Sequence, residues 1–313
     1  MRNGLKNNYR LLVLGMLLVA LLIGCEKERK EMPTKGHVTM VVSESVAPLI
    51  EKEKKTFEEL YPQAHVELFV STAREAIARL FNDSITIIVS SRPLNDEERA
   101  VGKRANLTIG EIKIAYDGIA VIVNTMNGIT QLRMTQLDSI FRGKLTQWKS
   151  AGSDLSSSIE ICVPERNSGT FEFAVTHILK KGDSLAVPAM RVKSELDMIN
   201  VIASHPSAIG IVGLDWLNDN KEKVKTLELA DTESPDSLLR GKYFGPHPAY
   251  VYQKYYPLTR EIFIYSRADS YGVAAGFTAF ITSGPGQKII LNEGLVPATM
   301  PVRLVQTTSK PVE

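Results

Sequence analysis

Four short segments carry the side chains best suited to chemistry: Ser43-Glu44-Ser45, Ser71-Thr72, Ser90-Ser91-Arg92 and Arg166-Asn167-Ser168-Gly169-Thr170. Serine and threonine hydroxyls donate hydrogen bonds without adding charge. A guanidinium can grip two oxygens of an anion at once. Gly169 lets backbone approach a ligand closely, and a helix that starts there offers unpaired N–H groups at the positive end of its dipole. Together these residue types describe a site for a small oxyanion. At any single junction the same hydroxyl would serve as an ordinary helix N-cap. Catalytic readings find less support. The five histidines, His37, His65, His177, His205 and His247, have no partners at metal-ligand spacing. No G-x-S-x-G, H-E-x-x-H, Walker A or G-x-G-x-x-G string occurs. The expectation is a binding protein with no metal, no cofactor and no enzymatic activity.

The elements around these segments alternate. Val38–Val42, Val66–Val70 and Ile85–Val89 are β-branched runs that read as buried parallel strands. Between them, helical spacing runs from Ala47 to Leu60 and from Ala73 to Phe81. This β-α-β-α-β order calls for a parallel sheet with crossover helices. Ile112–Val123 is a longer strand leaving that unit, and Leu132–Phe141 is a helix. Ile159–Val163, Ala208–Val212 and Glu261–Tyr265 are strands; Phe171–Lys180, Glu195–Ser204, Val273–Ile281 and Gln287–Asn292 are helices. Residues 218–245, rich in Asp, Lys and Pro, read as loops. In an open α/β sheet, ligands bind beyond the carboxyl ends of the strands. All four hydroxyl-bearing segments stand there.

The 313 residues carry 37 Lys+Arg and 35 Asp+Glu. Arg2, Lys6 and Arg10 precede an apolar run, Leu11–Ile23, that is short for a bilayer span. It has the layout of a secretory signal and ends in Leu22-Ile23-Gly24-Cys25, which resembles a bacterial lipobox. Cleavage before Cys25 and lipidation of its thiol are expected, with residues 25–36 as a tether. The chain from Cys25 onward then has 34 basic and 35 acidic residues. No basic excess remains to drive nucleic-acid binding. Cys162, the only other cysteine, reads as a buried thiol without a disulfide. Trp148 and Trp216 read as core, and Tyr250, Tyr252, Tyr255 and Tyr256 as packing near a lobe junction.

Several strings, taken in order, resemble the substrate-binding lipoproteins of the phosphate ABC importer family. They are Ser90-Ser91-Arg92-Pro93-Leu94, Ile114-Ala115-Tyr116-Asp117-Gly118, Leu137-Asp138-Ser139-Ile140-Phe141-Arg142-Gly143, Ser168-Gly169-Thr170, Ala208-Ile209-Gly210-Ile211-Val212-Gly213 and Gly294-Leu295-Val296-Pro297. The stretches around Asp117 and Pro297-Ala298-Thr299-Met300-Pro301 resemble the version found in Bacteroidetes. The resemblance implies an α/β, periplasmic binding protein-like type 2 fold, with two lobes joined by crossing hinge strands. Residues 37–120 plus 262–313 would form lobe one and 121–261 lobe two. It implies an extracytoplasmic, membrane-anchored monomer, facing the periplasm, that captures inorganic phosphate or a similar oxyanion for ABC importer membrane subunits.

Family ligands map onto Glu44, Ser45, Ser71, Ser91, Ser168, Gly169 and Thr170. Pro164 stands where the family's arginine does, so Arg166, Arg92 and Arg74 compete for that role. Glu44 occupies a loop that is Gly-rich in the family. Phosphate near neutral pH keeps a proton that sulfate lacks, so a buried carboxylate could accept it. Glu44 is the expected acceptor and Asp117 the alternative. Two other readings remain: a secreted hydrolase using the same cleft, and a lipoprotein with this fold and a signalling role.

Overall fold

The computed structural model describes residues 32–82, 85–179, 185, 189–267 and 271–301. The expected signal peptide and Cys25 lie outside them. The expected tether ends early, because strand β1 already begins at Lys35. Among the described residues, no helix is long and apolar enough to cross a membrane.

The first unit is β1 (Lys35–Ser43), helix α1 (Ala47–Leu60), β2 (Gln63–Ser71), α2 (Ala73–Phe81) and β3 (Ile87–Ser90). β1 runs parallel to both β2 and β3, as the alternating pattern requires. A helix that the apolar pattern does not reveal follows, α3 (Asp96–Arg104). It is held by its cap rather than by an apolar stripe. Asn95 accepts from the Glu98 N–H, and the Glu98 side chain returns to the Asn95 N–H, both at 2.8 Å.

β4 (Ile109–Asn124) then crosses the molecule. Beyond it come β5 (Gln131–Arg133), α4 (Met134–Phe141), β6 (Glu160–Pro164), α5 (Gly169–His177), β7 (Met190–Val192), α6 (Glu195–Ser204) and β8 (Ala208–Gly213). The helix expected from Leu132 starts at Met134, because Gln131–Arg133 pairs with a strand further along. β6 is parallel to β7 and β8. Within residues 218–245 lie three short strands, β9 (Val224–Thr226), β10 (Glu228–Ala230) and β11 (Tyr243–Phe244). Their brevity and charge hide them from periodicity. β12 (Thr259–Arg267), α7 (Val273–Thr282), α8 (Gly284–Asn292) and β13 (Val296–Pro297) complete the described chain.

Ten of these strands join in one sheet, with the central order β2-β1-β3-β12-β4-β8-β6-β7. β12 lies antiparallel between β3 and β4, and β4 lies antiparallel to β8. β4 and β12 are thus the strands that cross between two cores. One core gathers residues of β1–β3, α1, Ile114 and Ala115, and resumes at Ile262. The other begins at Ile119 and includes Leu258, with Val296 added from β13. Both crossing strands change core within a few residues, and the chain there is polar: Asp117 on β4 and Arg260 on β12. Trp148 and Cys162 are fully buried in the second core, and burial pushes the Cys162 thiol up to about 12. Tyr256 is also buried and donates to the Ile119 carbonyl at 2.8 Å, whereas Tyr250, Tyr252 and Tyr255 are exposed.

Candidate ligand-binding site

The carboxyl ends of β1 and β3 lie side by side, since Val42 is paired with Val89. That register brings the next residues together. The Ser43 hydroxyl lies 3.1 Å from that of Ser91 and 3.3 Å from that of Ser45, and all three serines are fully buried. Ser71 is level with Ser43 on the neighbouring strand, but its hydroxyl donates to the Thr72 carbonyl at 3.2 Å. Ser71 therefore stands beside the cluster without joining its hydrogen bonds.

From the other core, β6 ends at Pro164 and α5 begins at Gly169. The Ser168 hydroxyl accepts from the Phe171 N–H at 3.0 Å, so Ser168 is the helix N-cap. The Gly169 N–H donates to Glu44 Oε1 at 3.3 Å. A Cβ at Gly169 would sit 2.1 Å from Ser91 Oγ and 3.3 Å from the Ala73 Cβ. Glycine is what lets this helix end meet the strands of the first core. The Thr170 hydroxyl donates to Glu195 Oε1 at 2.5 Å and accepts from Arg260 Nη1 at 2.9 Å.

Arg260, 3% exposed, binds the two halves together. Its Nε and Nη2 lie 2.8 and 2.7 Å from Asp117 Oδ2. Its Nη1 also reaches Ser45 Oγ at 3.3 Å, and Nη2 reaches the Ser45 carbonyl at 3.3 Å. Gly213 leaves the room: a Cβ there would come within 2.9 Å of Arg260, Asp215 and Asp117 side-chain atoms. Asp117 also accepts from the Leu214 N–H, and Glu195 from the Gly213 N–H.

Three buried carboxyl groups thus surround one guanidinium. Burial raises all three, Glu195 to about 7 and Asp215 well above its ordinary value, with Arg260 opposing. Desolvation works against the charge on Arg260, and Asp117, Glu195 and Asp215 outweigh it. Burial thus favours the neutral form of these carboxyls, while Arg260 beside Asp117 favours an ion pair there. The group is far less negative than its composition suggests.

The arginines expected from sequence stand elsewhere. Arg92 is bidentate to Glu98 on α3, at 2.8 and 2.7 Å. Its Nε also lies against Glu172 of α5, in an ion pair whose angle is not that of a hydrogen bond. Arg74 reaches the same Glu172 at 3.3 Å. Arg92 and Arg74 thus link the two cores at the rim, and their charge is spent on carboxylates. Arg166 is exposed. It lines, with Arg74, Arg92, Phe171 and His177, a cleft of ≈ 670 Å³ whose floor includes Ser91 and Arg260. Glu44 accepts from protein donors on both oxygens, Gly169 N–H and, at 3.2 Å, the Ser43 hydroxyl. Asp117, the alternative acceptor, is committed to Arg260. Sequence reasoning picked out the Ser43-Glu44-Ser45 segment without placing Ser43 among the ligands, and it missed Glu195 and Arg260. An aspartate inside the apolar run Ile114–Val123 was the available signal, because it demands a cation from a neighbouring strand.

Two α/β cores joined by crossing strands, with donors from both meeting at the strand ends, define a bilobed ligand-binding fold of the periplasmic binding protein type 2 class. The chain belongs to the PBP superfamily, whose domain model matches residues 27–285. It is 26% identical over 233 residues to the phosphate-binding protein PstS of Staphylococcus aureus (strain USA300), covering 74% of this chain and 68% of that protein. It is 27% identical over 248 residues to PstS of Staphylococcus saprophyticus, covering 79% and 75%. The fold is similar to that of an ABC-type phosphate transport receptor from Vibrio cholerae, with a TM-score of 0.65 and 24% identity over 84% of this chain and all of the other. A Clostridium perfringens chain solved with bound phosphate gives 0.73, at 24% identity over 84% and 99%.

Proposed function

We propose that the protein is an extracytoplasmic solute-binding protein, anchored through a lipid on Cys25, that captures inorganic phosphate between two lobes and hands it to an ABC importer. The observation that carries this reading is the meeting of Arg260 with Ser45 of one lobe and Thr170 of the other. One cation and hydroxyls from both lobes converge on the N-terminus of α5. A tetrahedral oxyanion would satisfy them together, and closing the lobes over it expels water and strengthens each bond. The PstS relatives support phosphate as that oxyanion.

In this reading Ser43, Ser45, Ser91, Gly169 and Thr170 supply donors, Arg260 supplies the charge, and Ser168 caps the helix that presents Gly169 and Thr170. Lobe one would be residues 37–120 plus 262–313 and lobe two 121–261, with β4 and β12 as the hinge. No bond is made or broken in the ligand, and the protein acts as a monomer without metal or cofactor. Equilibrium dialysis with labelled phosphate, chased by sulfate, molybdate or nucleotides, tests the assignment. Retention of phosphate that excess sulfate does not displace is expected. Displacement by sulfate at equal concentration would reject phosphate as the ligand.

A further inference from the structure

The first amide of α5 is the seat expected for an oxyanion, and in this structure a carboxylate of the protein itself takes it. Glu44 comes from the turn that follows β1 in the first core, and Gly169 opens a helix of the second. One Glu44 oxygen accepts the Gly169 N–H at 3.3 Å, and the other accepts the Ser43 hydroxyl at 3.2 Å. Ser43 is the centre of the serine cluster, in contact with Ser45 and Ser91. Glu44 therefore engages both the backbone donor and the hydroxyl through which a ligand would enter the cluster. One residue further on, the Ser45 carbonyl accepts from Trp216 Nε1 at 3.1 Å, a second bond from this turn to the other core.

We propose that Glu44 is a resident anion: its side chain fills the oxyanion seat and clasps the lobes when no ligand is bound, and an arriving oxyanion must displace it. The choice of phosphate as the arriving anion rests on the proposed function, whereas the clasp does not.

The physical grounds are differences between the two anions. A carboxylate is planar and offers two oxygens. A tetrahedral oxyanion offers more, and can reach Thr170 and Arg260 as well as Gly169 and Ser43. Burial pushes the Glu44 carboxyl up, so its charged form is held in the seat at a desolvation cost that displacement relieves. Displacement also sets specificity. A free monocarboxylate matches Glu44 in chemistry but not in local concentration, so it is rejected. Apparent affinity for a true ligand is lowered by the fraction of time the seat is filled.

This role is opposite in sign to that of a ligand-accepting carboxylate, and one pair of variants separates them. The purified protein, Glu44→Ala and the isosteric Glu44→Gln are compared without ligand by small-angle scattering and by Trp216 fluorescence, then titrated with inorganic phosphate. Unchanged thermal unfolding checks the fold, and Glu44→Gln carries the test if Glu44→Ala unfolds. A resident anion predicts a larger radius of gyration in ligand-free Glu44→Ala. It also predicts phosphate affinity raised about tenfold or more, the worth of one charge-assisted hydrogen bond, with Glu44→Gln between. An unchanged ligand-free shape together with weakened phosphate binding would overturn the proposal and make Glu44 a ligand contact. Opening in Glu44→Ala with no phosphate binding by any form would uphold the clasp and sink the phosphate reading instead.

Discussion

Arg260 and Asp117 face each other across the two crossing strands, paired in register on β12 and β4, with two nitrogens of one within 2.8 Å of a single oxygen of the other. The pair lies where both strands leave one hydrophobic core for the other, so it joins the lobes and also presents Arg260 to the candidate site. Removing one partner of a buried ion pair leaves the other charge unpaired. Arg260→Gln is expected to lower stability by about 3–5 kcal/mol in urea unfolding and to abolish phosphate binding. Adding Asp117→Asn should restore part of the stability and none of the binding. A loss below about 1 kcal/mol would place the pair in a far wetter setting than its burial indicates.

Gly169→Ala isolates lobe closure. The added methyl meets Ser91 Oγ and the Ala73 Cβ, both on the opposite core. Alanine is a good helix former, so α5 itself should not suffer. Stability close to wild type with phosphate affinity reduced about tenfold or more is expected. Calorimetry and thermal unfolding of the same sample check both halves. Unchanged affinity would mean that the lobes need not approach this closely.

Ser168 and Thr170 are neighbours with different work. Ser168→Ala loses the N-cap and should cost about 1 kcal/mol of stability. Thr170→Val removes the hydroxyl between Glu195 and Arg260, and should weaken phosphate binding by about 1–3 kcal/mol. If Ser168→Ala weakens binding more than Thr170→Val, the roles are reversed.

How far this was legible in the sequence differs between fold and site. Helices Ala47–Leu60 and Glu195–Ser204 appear with the bounds their apolar spacing predicts. The first parallel unit follows from β-branched runs, because β1 and β3 bury consecutive residues, while burial of one face of its helices leaves a period in the sequence. Helix α3 leaves none, since it rests on the Asn95–Glu98 cap. The Gly169 and Thr170 junction was legible for a local reason: cap, glycine and hydroxyl are adjacent in the chain. Arg260 was not, because its partners Asp117, Ser45 and Thr170 come from three distant elements and only strand register unites them. Arg92 looked suitable from its position after β3, but Glu98 and Glu172 reach it first.

Glu53 gives a pH dependence whose sign is unambiguous. It is fully buried on α1, neither oxygen has a hydrogen-bond partner among the described residues, and burial pushes it up to about 9. The folded state therefore holds a proton that the unfolded state releases near pH 4.5. Stability from this residue is fully present below that pH and falls as pH rises through about 9. Glu53→Leu should remove the decline and be more stable than wild type at pH 8 by more than about 1.4 kcal/mol. Urea unfolding between pH 5 and 9 reads this out (range set by roughly these two values). Parallel stability curves for the two proteins would exclude it.

The central claim is that donors from both lobes, gathered around Arg260, form a seat for phosphate. Isothermal titration of the purified protein with inorganic phosphate tests it most directly. Saturable binding of one phosphate per chain, with phosphate recovered unchanged and sulfate giving little heat, is the predicted result. No heat with phosphate at any attainable concentration, in both the wild type and the Glu44→Ala variant, would contradict it.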